Sequence, residues 1–228
     1  MTTTPRLQGK RILVTQAADF MGPALCEALA AHGADVVASF LPLSAPDAAA
    51  RVVAEAGDVE VLVANLSIHA PSTPVADVGD DEWREVFAAL VDPLPRLARA
   101  VLPGMQARGG GRILVVGSAS ALRGMRRAST YSAARGAQLA WVQAAGVELA
   151  PLGVRVNAIA QNFVDNPTYF PEAVQRDPRF QERLRREVPL GRLVKPREDA
   201  EFAAYLCGDD ADCFVGQVFP VSGGWATR

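Results

Sequence analysis

Six short apolar runs punctuate the chain, at residues 11–15 (RILVT), 34–40 (ADVVASF), 59–65 (VEVLVAN), 112–117 (RILVVG), 154–158 (VRVNA) and 217–221 (QVFPV). Each is too short for a stable helix and most are rich in β-branched residues, so they predict strands of a buried parallel sheet. Between them apolar positions recur at helical spacing, which predicts helices over 22–31, 45–56, 80–108, 129–149, 180–187 and 196–206. Gly33 closes the first helix. Pro93 and Pro95 break the third, and Gly109 to Gly111 end it. Residues 160–175, rich in Asn, Phe and Pro, read as an irregular segment. Strands alternating with helices imply right-handed crossovers and an α/β doubly wound parallel sheet with helices on both faces. No repeat or linker divides the chain, so a single domain over 1–228 is expected. One helix alone separates the second and third strands, which predicts a sheet abbreviated at that edge.

Half of the 228 residues are hydrophobic, enough for one sizeable core. The net charge of −2 gives no electrostatic reason for nucleic acid or an anionic membrane. No apolar run is long enough to span a bilayer, and MTTTPRLQGKR at the start holds no apolar targeting stretch. Cys26, Cys207 and Cys213 lack metal spacing and fit a reducing, cytoplasmic setting. Lysine occurs at 10 and 195 alone and arginine supplies the other cations, a bias that carries no function.

In a doubly wound sheet a ligand sits beyond the carboxyl ends of the strands. The first strand–helix turn there usually carries glycines, which let backbone approach a pyrophosphate. Here it reads TQAADFMG over 15–22: Gln16 and Phe20 stand at glycine positions, Asp19 adds a negative charge, and Gly22 alone remains. The second strand runs into Ser39 and Phe40, with no acid to hold a ribose. No cofactor is therefore expected; the alternative is that Phe20 is a core aromatic on a divergent turn that still binds one.

Ser118, Tyr131 and Arg135 form the pattern S-x12-Y-x3-R. Ser118 follows the fourth strand, and Tyr131 and Arg135 share one face of the next helix. A guanidinium one turn away favours the phenolate of a tyrosine. A phenolate can take a proton from an alcohol, while a serine hydroxyl holds the same oxygen. Arginine stays protonated and passes no proton on.

Over almost its full length the chain resembles the short-chain dehydrogenase/reductase superfamily, through ValAlaAsn at 63–65, ArgValAsnAlaIle at 155–159 and ValSerGlyGly at 221–224. It departs from that pattern at the cofactor glycines and at Arg135, where the superfamily has lysine. Residues 81–103 also hold no Asn, where those reductases often place a relay residue. Both departures resemble the halohydrin dehalogenases, an offshoot with the motifs T-x4-[F/Y]-x-G and S-x12-Y-x3-R. Here these are Thr15-x4-Phe20-x-Gly22 and Ser118-x12-Tyr131-x3-Arg135. The stretches 157–171 and 216–225 are similar to the B-type members.

The resemblance implies a Rossmann-like fold and cofactor-independent conversion of a vicinal haloalcohol to an epoxide, releasing halide and a proton. It also implies the reverse opening of epoxides by azide, cyanide or nitrite. Ser118, Tyr131 and Arg135 become the catalytic residues. Phe20, Gln161, Asn162 and Phe163 are expected to bind halide or another small anion, through backbone N–H groups and aromatic edges. Ser120, Leu122, Tyr169 and Phe170 are expected around the substrate. A homotetramer is implied by the same analogy, with Trp225 packing an interface or lining a neighbour's pocket. Two other functions stay open: a divergent NAD(P)-dependent reductase and a catalytically silent member of the fold.

The remaining polar signals read as structure. His32 ends a helix, and His69 lies in a loop after the third strand. Asp80, Asp81 and Glu82 start a helix. Asp209, Asp210 and Asp212 lack calcium-loop spacing and read as a solvated turn, so no metal site is expected.

Overall fold

The computed structural model describes residues 6–227. Residues 1–5 and 228 lie outside the described residues, and with them the two ends of the expected domain and part of the amino-terminal stretch. All six apolar runs form strands: β1 (Arg11–Val14), β2 (Asp35–Ala38), β3 (Val61–Asn65), β4 (Gly111–Ser118), β5 (Val154–Gln161) and β6 (Val218–Val221). They make one parallel sheet in the order β2-β1-β3-β4-β5-β6. One edge strand is β2, which leads to β3 through a single helix, so the sheet is abbreviated where expected.

Alternation along each strand sends side chains to opposite faces. Ile12, Val14, Val61, Val63, Leu114 and Val116 enter the core under α1 (Gly22–Ala31) and α8 (Pro196–Cys207). Leu13, Leu62, Ala64, Ile113 and Val115 enter the core on the other face. That face is covered by α2 (Ala48–Ala56), α3 (Asp80–Leu90), α4 (Pro93–Ala107) and α5 (Ser129–Leu149). The helical stretch over 80–108 is broken where Pro93 and Pro95 predicted, into α3 and α4. Pro93 takes the first position of α4, where a missing N–H costs nothing. The irregular segment is shorter than expected, because β5 runs on to Gln161. It also contains a one-turn helix, α6 (Glu172–Gln175), and leads into α7 (Pro178–Glu187).

The chain leaves β1 toward β2 and later returns on its other side at β3, so the crevice opens between the carboxyl ends of β1 and β3. The Thr15 hydroxyl donates to the Asn65 carbonyl across it at 3.3 Å. Gly22 opens α1 hard against the turn: a Cβ there would stand 2.4 Å from the Ala17 carbonyl oxygen. That neighbour is backbone and has nowhere to go. Gly22→Ala is expected to lower stability by about 2 kcal/mol, read as a fall in the urea midpoint; an unchanged midpoint would refute the close contact.

The polar outliers resolve as structure. His32 meets Glu201 at 2.8 Å. Asp209 pairs with Lys10 and Arg112, and Asp212 with Arg155. Among the described residues no group of His, Cys, Asp and Glu could hold a metal ion, and no helix is long and apolar enough to cross a membrane.

Candidate active site

Beyond the ends of β4 and β5 lies a mainly apolar cavity of about 190 Å³. Ser118, at the last position of β4, lines it, as does Tyr131 from the first turn of α5. Strand end and helix start converge because α5 packs directly on β4 and β5. The Ser118 Oγ accepts from the Ser120 N–H at 3.2 Å and shares a 2.9 Å hydrogen bond with the Ser120 hydroxyl. The Tyr131 hydroxyl lies 3.3 Å from that of Tyr169, which donates to the Ile68 carbonyl at 2.7 Å. The free lone pair of Tyr169 thus faces the Tyr131 hydroxyl.

Arg135 does not reach the cavity. Its side chain is fully buried behind the two aromatic rings, with the guanidinium 5.1 Å from the Tyr131 ring centre and 5.7 Å from that of Phe20. Its Nη1 donates to the Val116 carbonyl and to Gln138 Oε1, each at 3.0 Å. Gln138 in turn donates to the carbonyl of Leu90, at the end of α3. Nε and Nη2 have no hydrogen-bond partner. Burial works against the Arg135 charge, but the fields of Tyr131 and then Tyr169 outweigh it and hold the guanidinium above its ordinary pKa. The Tyr169 phenol is pushed well above its ordinary value, first by burial and then by the charge of Tyr131, with Arg135 opposing.

The four residues expected at an anion, Phe20, Gln161, Asn162 and Phe163, all line the cavity, together with Tyr169 and Phe170. Their backbone donors, however, are committed elsewhere. The Phe20 N–H donates to Thr168 Oγ1 at 3.1 Å, that of Asn162 to the Val221 carbonyl at 3.1 Å, and that of Phe163 to Asn162 Oδ1 at 2.9 Å. The polar residues around the space are Ser118, Tyr131, Gln161, Asn162, Asn166, Tyr169 and Arg183, and the rest of the wall is largely aromatic. Phe20 meets Tyr169 edge-on at 5.4 Å, and Phe163 stacks on Phe170 at 5.8 Å.

Two expected pocket residues fall outside it. Ser120 is buried behind Ser118 as its hydrogen-bond partner, and Leu122, half-buried, packs on the core instead. The short 3₁₀ turn after β4 (Ala119–Ala121) carries both away from the opening. Trp225 is buried within its own chain, 6.0 Å from Phe163 and under the Arg123 guanidinium, and so stands behind the cavity wall.

A dinucleotide does not fit the residues present. Gln16 and Phe20 occupy left-handed backbone at φ 44° and 53°, the region glycine adopts without cost. Phe20 lines the cavity, and the same turn borders a second, open one of about 510 Å³ through Gln16, Ala18 and Asp19. The side-chain amide of Asn65 holds the carbonyls of Gln16 and Asp19, and Gln16 Oε1 accepts from the Ser67 N–H. That second cavity carries Asp19 and His69 and neither Lys nor Arg, so a pyrophosphate would meet a carboxylate there.

The model of the enoyl-(acyl carrier protein) reductase family matches residues 42–226. The chain belongs to the short-chain dehydrogenase/reductase superfamily. Among superfamily relatives, the 2-keto-3-deoxy-L-fuconate dehydrogenase of Xanthomonas campestris is 30% identical over 98% of this chain and 83% of its own. Dehydrogenase/reductase SDR family member 4 of Sus scrofa is 28% identical over 97% and 89%. A solved structure of a dehalogenation enzyme superposes with a TM-score of 0.91 at 30% identity, over 97% of this chain and 100% of that one.

Several residues at the site escape sequence reasoning. Asn166 is buried and braces the loop after β5, accepting from the Tyr169 N–H and donating to the Val164 carbonyl. Arg183 of α7 reaches the cavity mouth, with its guanidinium 5.4 Å from the Phe163 ring centre. Asp199 of α8 is fully buried and accepts from Gln161 Nε2. Burial pushes the Asp199 carboxyl up to about 7, with the Gln161 hydrogen bond opposing. For Asp199 a faint signal existed: a heptad-like count places it on the apolar face of its helix, with Ala200 and Ala203. Nothing in the sequence marks Arg183 or Asn166.

Proposed function

We propose that this chain is a halohydrin dehalogenase, converting vicinal haloalcohols to epoxides. The observation that carries the reading is that Ser118 and Tyr131 share one cavity whose wall is the Phe20 ring, with Arg135 buried behind both aromatics. The similarity to a dehalogenation enzyme over nearly the whole chain supports it. Tyr131 takes the hydroxyl proton of the substrate, while Ser118 donates to the same oxygen. The oxygen attacks the neighbouring carbon; a C–O bond forms and the C–halogen bond breaks. Halide leaves with the bonding electrons, and the proton passes from Tyr131 to solvent. In reverse, azide, cyanide or nitrite opens the epoxide. No hydride moves, so nicotinamide has no part in the reaction.

Gln161, Asn162, Phe163 and Phe20 would hold the halide or the attacking anion, with Tyr169 and Phe170 as walls around the substrate. The reading carries a homotetramer by superfamily analogy; exposed Val147 and Leu152, in and just after the last turn of α5, suit a subunit contact. Three free thiols suit a cytoplasmic location. Neither nucleic acid nor membrane is a partner in this reading.

The test is halide and acid release on incubation with 1,3-dichloro-2-propanol or 2-bromoethanol. Release is expected; silence with several haloalcohols sinks the proposal. The dehydrogenase relatives favour a second reading, a divergent NAD(P)-dependent reductase. Calorimetric titration with NADH and NADPH decides that one: no binding at micromolar concentrations is expected, and micromolar affinity would restore it.

A further inference from the structure

Asp199 and Gln161 are both buried and joined by one hydrogen bond, from Gln161 Nε2 to Asp199 Oδ2. The two remaining oxygens, Gln161 Oε1 and Asp199 Oδ1, are also buried and have no partner. Two unpartnered acceptors on neighbouring side chains lack a proton, not a donor group. A single hydrogen on Asp199 Oδ1 would serve Gln161 Oε1 and close a cyclic acid–amide pair. The alternative is a carboxylate with one hydrogen bond and no cation in a dry core, which is costly.

The buried cation nearest in the fold, Arg135 of α5, is spent on Val116, Gln138 and the two phenols and does not act on the Asp199 carboxyl. The elements packed against α8 and the neighbouring strand carry few titratable groups. On α1, Glu27 is exposed and Cys26 half-buried. On β4 the one charge is Arg112, and on β5 it is Arg155; both lie at the far ends of their strands and pair with Asp209 and Asp212. On α8 itself, Glu198 pairs with Arg192, while Glu201 pairs with His32 and with Arg197 of the same helix. The titratable groups of the cavity are Tyr131, Tyr169 and Arg183.

We infer that Asp199 is a positioning residue that keeps its proton in the folded protein, locks the Gln161 amide by a cyclic acid–amide pair, and thereby keeps the adjoining cavity receptive to an anion. The lock leaves the second hydrogen of Gln161 Nε2 uncommitted on a residue that lines the cavity. Loss of the Asp199 proton does two things. It breaks the lock, and it places a negative charge one side chain away from the bound anion. The inference rests on the reading of the cavity as an anion site. It adds that anion affinity falls as the solution becomes alkaline. The carboxyl, displaced to about 7, titrates in the range where this is measurable.

Asp199→Asn tests it, since an amide can form both hydrogen bonds of the pair and cannot ionise. The first readout is thermal stability of the wild type and the variant against pH. The folded value exceeds the unfolded 3.8. The wild type's advantage is therefore full below about pH 4 and lost as pH rises through about 7. A Tm difference that stays constant from acid to mildly alkaline pH overturns the retained proton, whatever the chain catalyses. The second readout is sodium bromide binding, followed by tryptophan fluorescence. The wild type should bind bromide roughly tenfold more weakly at pH about 8.5 than at about 5.5, the scale of a unit charge acting over about 10 Å at an effective dielectric constant of about 20. Asp199→Asn should bind it equally at both. A pH-dependent Tm difference with pH-independent bromide affinity overturns the coupling alone. No bromide binding by either protein at any pH overturns the coupling together with the anion-site reading, while the stability readout still reports on the proton.

Discussion

Replacing Tyr131 with phenylalanine is expected to cut halide release by roughly 10²–10⁴-fold, the range for removing a general base, and to leave the fold intact. The ring is what packs: it lies 5.1 Å from the Arg135 guanidinium and is almost fully buried, so Phe keeps that contact. Only the hydroxyl is lost. Tyr169 stands 3.3 Å from that hydroxyl and would be the obvious substitute base. Burial holds its phenol well above the ordinary value, so it keeps its proton and the loss should be large. Unchanged circular dichroism with turnover near the background rate is the expected pair of results. Full activity in Tyr131→Phe would remove the role given to the phenol.

Arg135→Met should be the second most damaging change, in activity and stability alike. Methionine fills much of the volume between the Tyr131 and Phe20 rings but brings no charge. A phenolate forming at Tyr131 then loses the cation facing its ring, and turnover should fall about 100-fold, or about 2.7 kcal/mol in barrier. Gln138 Oε1 and the Val116 carbonyl also lose a buried donor, each costing about 1–3 kcal/mol when left unmet. A loss of about 2 kcal/mol or more in urea unfolding is expected. Arg135→Lys separates the two effects: it restores a cation without the planar fork, so activity should recover in part and stability less. If Arg135→Met retained wild-type turnover, Arg135 would be a structural residue alone.

The strands were readable because a parallel strand buried on both faces must be apolar at nearly every position, as VLVAN in β3 is. The break at Pro93 was readable because proline lacks the N–H that a helix interior needs. Convergence of Ser118 and Tyr131 followed from spacing once the fold was known, since a strand end and the first turn of the next helix meet at the same edge. The direction of Arg135 was not readable. Sharing a helix face with Tyr131 suggested action on its phenol, and the guanidinium's charge does act on the Tyr131 and Tyr169 phenols, but it does so from a fully buried place behind the rings. Side-chain direction depends on what α5 packs against, here β4 through Val116 and α3 through Gln138 and Leu90.

Local pattern settled the α/β class and the order of elements, and singled out Ser118, Tyr131 and Arg135 as candidates. These rest on interactions over a few residues, namely strand alternation, helix periodicity and capping, which leave their mark in a short window. Which donors are left for the cavity was decided largely by tertiary contacts. The N–H groups of Phe20 and Asn162 are committed by Thr168 and Val221, far away along the chain or across the sheet. The pairing of Gln161 with Asp199 joins residues 38 apart. Its strength comes from desolvation, and no single segment can desolvate itself. Burial of a charged group is a property of the packed chain, so the Asp199 proton becomes visible only when β5 and α8 are brought together.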